Sequence, residues 1–371
     1  MIFLFLLLSF RVFSQEKEVW IQKPMEAWPQ IAMINEVWYK NGERYVHPSF
    51  AYAATGFLID TGEDTLAVTV KHVLWVAKTS TLNRVDINDA LQKWMMHPKG
   101  NLKDSVIIDQ LINTDTTEIL QGENATIAQR DWLVFSTKYV SPNIQPLKIR
   151  YTPVNEGEKI YFFGCPYDDE RCVTKEAKVL EVKGNRIVFS KSPLANVGGA
   201  SGSPIVDVNG YLIGILSGSS VNSVNGEPAL YGITTHYLKK VLNQEQPLNV
   251  PLIPIGDVLM PIILKEGVES GIKAYRALTA DENNYFVYDF SAEELNALGK
   301  DLLQSQKIEQ AIRILQLSVD ELPWLAPTHN LLGQAYGENG EKQRAIQSYE
   351  RALALWPEND EAKKALEKLK H

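Results

Sequence analysis

Cysteine is scarce. The 371 residues hold two, Cys165 and Cys172, in Gly164-Cys165-Pro166-Tyr167-Asp168-Asp169-Glu170-Arg171-Cys172. A tetrahedral zinc site would want two more ligands close by, and the spacing supplies none, so no metal site is expected. Two readings of the pair stay open: a small disulfide closing a loop, which suits an exported chain, or two free thiols. Positive charge is in deficit as well, with 37 Lys and Arg against 45 Asp and Glu and a net charge of −8. That balance gives no electrostatic reason to bind nucleic acid or an anionic membrane. The apolar stretch at Met1–Ser14 stops far short of the roughly 20 residues that span a bilayer, so no transmembrane segment is expected in the mature chain. The Gly-rich segment Gly198–Ser203 lacks the Gly-Lys-Ser/Thr ending of a phosphate-binding loop.

What is present is ordinary in bulk: 45% hydrophobic and 22% charged residues, in a length sufficient for two domains with cores of their own. Residues 1–14 read as a signal peptide cut after Ser14, which implies export to a periplasm or out of the cell. The stretch departs from the usual pattern, with no Lys or Arg ahead of the apolar run and Arg11 late within it. A strand or a short membrane-associating anchor is the other reading. No cysteine follows the run closely, which argues against a lipid anchor.

The chemistry lies in three short segments. In Gly198-Gly199-Ala200-Ser201-Gly202-Ser203-Pro204, small residues flank a serine, so the backbone can turn sharply and leave the hydroxyl uncovered. The amides of Gly199 and Ser201 can then converge on one point and hold an oxyanion. Asn209-Gly210 between apolar runs is a hairpin signal that would brace this loop with sheet. His72 ends the apolar run Leu66–Val70, where an imidazole can meet both solvent and a neighbouring hydroxyl. Asp131 leads into Trp132-Leu133-Val134-Phe135, where a buried carboxylate could fix the histidine tautomer. Singly, each is ordinary: a histidine after a strand is often structural, and an aspartate before one is often a turn residue. Together, in the order His, Asp, Ser, they form a candidate set for nucleophilic acyl transfer.

These segments resemble the trypsin-like (chymotrypsin-fold) serine peptidases over roughly residues 45–240. Thr69-Val70-Lys71-His72 keeps the threonine and histidine of the family's histidine motif, but Lys71 replaces a small residue. Asp131-Trp132-Leu133-Val134 matches the aspartate motif, and Gly199-Ala200-Ser201-Gly202-Ser203-Pro204 the serine motif. Ala200 stands where digestive members carry the aspartate that pairs with a freed amino terminus, so the oxyanion loop must be held in some other way. The resemblance implies two six-stranded β-barrels, no cofactor, and a protein or peptide substrate. It implies Ser201 as nucleophile, His72 as base, Asp131 as its orienting partner, and Gly199 and Ser201 as oxyanion donors. Ser217-Gly218-Ser219 would pair with extended substrate. Ala195 and Leu216, both uncharged, would favour an apolar or small side chain in the primary pocket. Lys71 and Ala200 favour the competing reading, an inactive barrel that serves as scaffold.

From about residue 291 the texture turns helical. At an offset of 34 residues, Leu298-Gly299 falls on Leu332-Gly333, Ala311 on Ala345 and Pro323 on Pro357, a period that resembles the tetratricopeptide repeat. Small residues let paired helices cross closely, and proline ends the second helix of each pair. The expected order is therefore a signal peptide (1–14), an N-terminal extension (15–44), the peptidase domain (45–243), a linker (244–291), then two repeats with a capping helix (292–371). The linker would carry a degenerate half-repeat, Glu266–Leu278, whose first helix Pro251, Pro254 and Pro261 break. So few repeats expect support by docking or dimerisation, and would offer a groove to a protein partner or substrate.

Overall fold

The computed structural model describes residues 16–45, 52–77, 82–120, 127–190, 198–221, 227–245, 248 and 252–370. The expected signal peptide lies outside them. Among the described residues, no helix is long and apolar enough to cross a membrane.

Six antiparallel strands close the first barrel: β1 (Met33–Tyr39), β2 (Ala53–Asp60), β3 (Thr65–Thr69), β4 (Leu91–His97), β5 (Val106–Leu111) and β6 (Leu133–Val140). Their order around the ring is β2-β3-β6-β5-β4-β1, and β1 pairs back onto β2 through Met33 opposite Gly56. The barrel therefore begins within the expected N-terminal extension. Ile31 to Ile34, Val37 and Tyr39 explain why, since all six are buried and leave this segment no stable place outside a core. A small ribbon, Arg84–Val85 with Asp115–Ile119, is drawn from the stretch of sequence between β3 and β6.

A second closed barrel follows, in the order β7 (Lys159–Gly164), β8 (Val173–Lys183), β9 (Arg186–Ser190), β12 (Pro228–Thr234), β11 (Leu212–Val221), β10 (Pro204–Asp207). The hairpin read from Asn209-Gly210 joins β10 to β11, with Gly210 at φ 91°, where a glycine avoids the penalty a Cβ would incur. Two helices matter to the site: α1 (Val73–Ala77) and α2 (His236–Leu242).

The chain divides into two compact units, and the strand segments Val179–Lys183, Arg186–Ser190 and Pro228–Ile233 belong to the same unit as the helical region. Within that unit Lys183 donates from Nζ to the carbonyl and the carboxylate of Glu321, at 3.1 and 3.0 Å. The helical region holds α3 (Ile255–Glu266), α4 (Val268–Thr279), α5 (Ala292–Gln304), α6 (Ile308–Glu321), α7 (Ala326–Glu338), α8 (Lys342–Leu355) and α9 (Asp360–Lys370). The 34-residue pattern has its steric reason in the crossings: a Cβ on Gly299 would come within 2.6 Å of Leu315, and one on Gly333 within 3.0 Å of Tyr349.

The half-repeat expected in the linker is instead a full pair, α3 and α4. Pro254 precedes the first helical turn, where its missing N–H is no loss. Pro261 sits within α3 on its exposed side, so the carbonyl it leaves free meets water, while Ile255, Leu259 and Ile263 bury the opposite stripe.

Candidate active site

β3 ends at Thr69 and the chain turns through Val70 and Lys71 before α1 starts at Val73, which leaves His72 on the turn. Asp131 occupies a tight turn of its own, closed by the Trp132 amide donating to the Arg130 carbonyl at 2.7 Å. The two turns face each other. The His72 amide donates to Oδ1 of Asp131 at 2.8 Å, and imidazole Nδ1 meets Oδ2 at 2.7 Å. Asp131 is fully buried, whereas the imidazole keeps 19% of its surface open. Ser217 donates its hydroxyl to the same Oδ2, so the carboxylate is held on both oxygens. Burial pulls the His72 pKa down, but the charge and hydrogen bond of Asp131 outweigh it, and the value stands above the usual one for histidine.

Ser201 is tied to the same strands. Its carbonyl accepts the Thr55 amide at 2.7 Å. Thr55 Oγ1 donates to the Gly199 carbonyl at 2.9 Å and accepts the Cys165 amide at 3.0 Å, while Thr69 Oγ1 donates to the Thr55 carbonyl at 2.7 Å. Thr69 pairs with Gly56 between β3 and β2, next to Thr55, and stands three residues before His72. Gly202 is at φ 87°, with its amide donating to the Leu216 carbonyl at 2.8 Å, and a Cβ there would lie 2.0 Å from the Thr55 carbonyl oxygen. Gly199 is at φ 88°, and a Cβ there would lie 2.9 Å from the Cys165 carbonyl oxygen and 3.0 Å from Tyr167. Among the described residues, the amides of Gly199 and Ser201 donate to no protein acceptor, as oxyanion donors require.

Residues 54–215 match the trypsin-like peptidase domain, and residues 326–359 the tetratricopeptide repeat. Residues 54–215 are thus a trypsin-like peptidase domain, followed by a tetratricopeptide repeat at 326–359. No curated protein shows significant similarity to it. Among solved structures it is similar to the active form of the Rv3671c protease from M. tuberculosis, at 14% identity and TM-score 0.40, covering 64% of this chain and 91% of that one. A serine endoprotease from Yersinia pestis aligns at 18% identity and TM-score 0.38, over 58% of this chain and 63% of that one. A Glu endopeptidase aligns at 18% identity and TM-score 0.39, over 57% and 88%.

Within the peptidase domain the sequence-predicted pocket residues fare unevenly. Ala195 lies outside the described residues. Leu216 is 2% exposed, and its amide donates to the Ser203 carbonyl. Ser217 is buried against Asp131, a support role for which the sequence offered no signal. Gly218 and Ser219 follow on β11, the first half-buried and the second exposed.

Cys165 and Cys172 are joined in a disulfide. The loop it closes braces the serine loop, because the Tyr167 amide donates to the Gly198 carbonyl at 2.8 Å. Ala200 is fully buried, and a Cβ on Gly164 would approach it to 3.2 Å. An aspartate at position 200 would meet this packing. The loop is bonded to Thr55 and Tyr167 and packs against Gly164.

Proposed function

We propose that the chain is a serine endopeptidase that cleaves peptide bonds through an acyl-enzyme. The observation that carries this reading is the 2.7 Å contact of His72 Nδ1 with a fully buried Asp131, beside a serine loop bonded to the strand pair that leads to His72. With Nδ1–H donated to Asp131, the neutral imidazole has its lone pair on Nε2. Ser201 Oγ attacks the scissile carbonyl, and Nε2 takes the hydroxyl proton. The tetrahedral oxyanion is held by the amides of Gly199 and Ser201 and collapses as Nε2 passes the proton to the leaving amine. Water then repeats the cycle on the acyl-enzyme and frees Ser201. Throughout, Asp131 stays ionised, and its charge stabilises the imidazolium that forms twice in each turnover.

Substrate would lie extended along Ser217-Gly218-Ser219 as an added strand. The repeats would hold a protein partner or the substrate itself, and residues 1–14 would direct export. The competing scaffold reading drew on Lys71 and Ala200. Both have structural explanations, a buried partner for the first and close packing for the second.

A fluorophosphonate probe tests the proposal. It should label the intact chain and fail to label Ser201→Ala, with folding unchanged by circular dichroism. A chain that hydrolyses no peptide and takes no label would return the scaffold reading.

A further inference from the structure

Lys71 is a lysine with no exposed surface, one residue ahead of the proposed base. Its Nζ lies 2.8 Å from Oε2 of Glu118, whose side chain is also fully enclosed. Nζ also donates to the Tyr237 hydroxyl at 3.4 Å, and the ammonium sits 4.8 Å from the centre of that ring. Burial works against the ammonium, but Tyr237 and Glu118 outweigh both burial and the opposing charge of Arg130, so Lys71 keeps its proton. Such a pair adds little net stability, because removing two ions from water offsets most of their attraction. Its presence calls for another account.

The geometry supplies one. Asn113 donates from Nδ2 to the Trp132 carbonyl at 2.7 Å and to the Tyr237 hydroxyl at 3.5 Å, and its Oδ1 accepts the Val134 amide at 2.9 Å. Tyr237 Oη thus receives one donor from the residue before His72 and another from a side chain bonded to the residue after Asp131. The ribbon residue Glu118, the α2 residue Tyr237 and Asn113 splint the two turns from behind, and none of them is a hydrogen-bond partner of the imidazole or the Asp131 carboxylate.

We propose that Lys71, Glu118 and Tyr237 are positioning residues, a buried unit that fixes the His72 turn against the Asp131 turn and so sets the strength of their contact. Only its consequence for rate rests on the peptidase reading; the placement of the imidazole belongs to the folded chain whatever its activity.

The test uses the full chain and the double variant Lys71→Met, Glu118→Met, which removes both charges at similar volume and leaves neither ion stranded. The imidazole of His72 meets the Asp131 carboxylate and the Trp75 ring of α1, and Ser217 of β11 bonds to the same carboxylate. Lys71 and Glu118 carry opposite charges, so their joint removal acts on His72 chiefly through geometry. Proton NMR of the imidazole should show its titration midpoint falling by about one pH unit, a tenfold loss of proton affinity. The kcat should fall about tenfold or more with KM little changed, as expected when a transition-state arrangement is loosened. Tyr237→Phe, which keeps the ring, should shift the midpoint in the same direction by less, and Lys71→Arg should restore most of the activity lost in Lys71→Met. A double variant that folds, titrates as the parent does and keeps its kcat overturns the proposal. Should the double variant fail to fold, an unchanged midpoint in Tyr237→Phe overturns it instead. Absence of fluorophosphonate labelling in the parent would sink the peptidase reading alone, since the titration still decides the positioning.

Discussion

The amide of Thr55 donates to the carbonyl of Ser201 at 2.7 Å, a bond between residues 146 positions apart in the sequence numbering, 55 and 201. The first-barrel strand β2, which pairs with the β3 strand that leads to His72, is thereby the support on which the serine loop rests. Thr55 Oγ1 adds a donor to Gly199 and an acceptor for Cys165, so one buried threonine joins three segments.

Thr55→Val keeps the shape and the backbone bond but deletes the hydroxyl, leaving the Cys165 amide and the Gly199 carbonyl without that partner. The expected cost is about 1–3 kcal/mol, read as a lower urea midpoint. Fluorophosphonate labelling should slow with it, because Gly199 is a proposed oxyanion donor as well as a bonded residue. Stability and labelling rate equal to the parent's would show that the hydroxyl is dispensable.

Gly202→Ala should be harsher. The substitution meets both a left-handed backbone at φ 87° and a carbonyl oxygen 2.0 Å from the new methyl. The Thr55 to Ser201 bond has to give way, and labelling should be lost even where circular dichroism reports a folded chain. Full labelling of Gly202→Ala would mean the loop has room that the geometry denies.

The architecture was legible where residues report on their own surroundings. The 34-residue spacing of Leu298-Gly299 and Leu332-Gly333 reflects helix crossings that admit no Cβ, and alternation of apolar runs with Gly and Asn marks the strands. His72 and Asp131 were legible as a pair because each closes or opens an apolar run, although their contact is long-range. Thr55, Ser217 and Tyr237 were not, since a threonine, a serine or a tyrosine in a β-rich region looks the same whether it supports a site or fills space. Pro261 misled: it lies on the exposed side of α3, where the carbonyl it frees can turn to water and the buried stripe on the other side holds the helix together.

Ser217→Ala should leave the fold intact and weaken the hold on Asp131, which keeps its two bonds from His72. A hydrogen bond to a charged group contributes about 1.5–3 kcal/mol, so kcat/KM should fall roughly tenfold to a hundredfold. The loss should appear in kcat. An effect confined to KM would instead place the Ser217 side chain in substrate binding.

The pH dependence of rate and that of stability should run in opposite directions, and this separates the dyad from a generic buried histidine. Because Asp131 outweighs burial, His72 binds its proton more tightly in the folded chain than in the unfolded one. The base must be neutral to act, so kcat/KM should fall as pH drops through the raised value, with the acid limb centred above about 6.5, the usual histidine pKa. Stability follows the proton. The contribution of the charged pair is complete below the unfolded-state pKa and disappears as pH rises through the folded-state value. The difference in unfolding free energy between the parent and His72→Ala should therefore be larger at pH 6 than at pH 9. Asp131→Asn removes the charge that raises the histidine, which should move the acid limb to lower pH while cutting the rate. An acid limb at or below 6.5 in the parent, or one that Asp131→Asn leaves in place, would mean that Asp131 does not govern the proton on His72, and the acid-base assignment would fall with it.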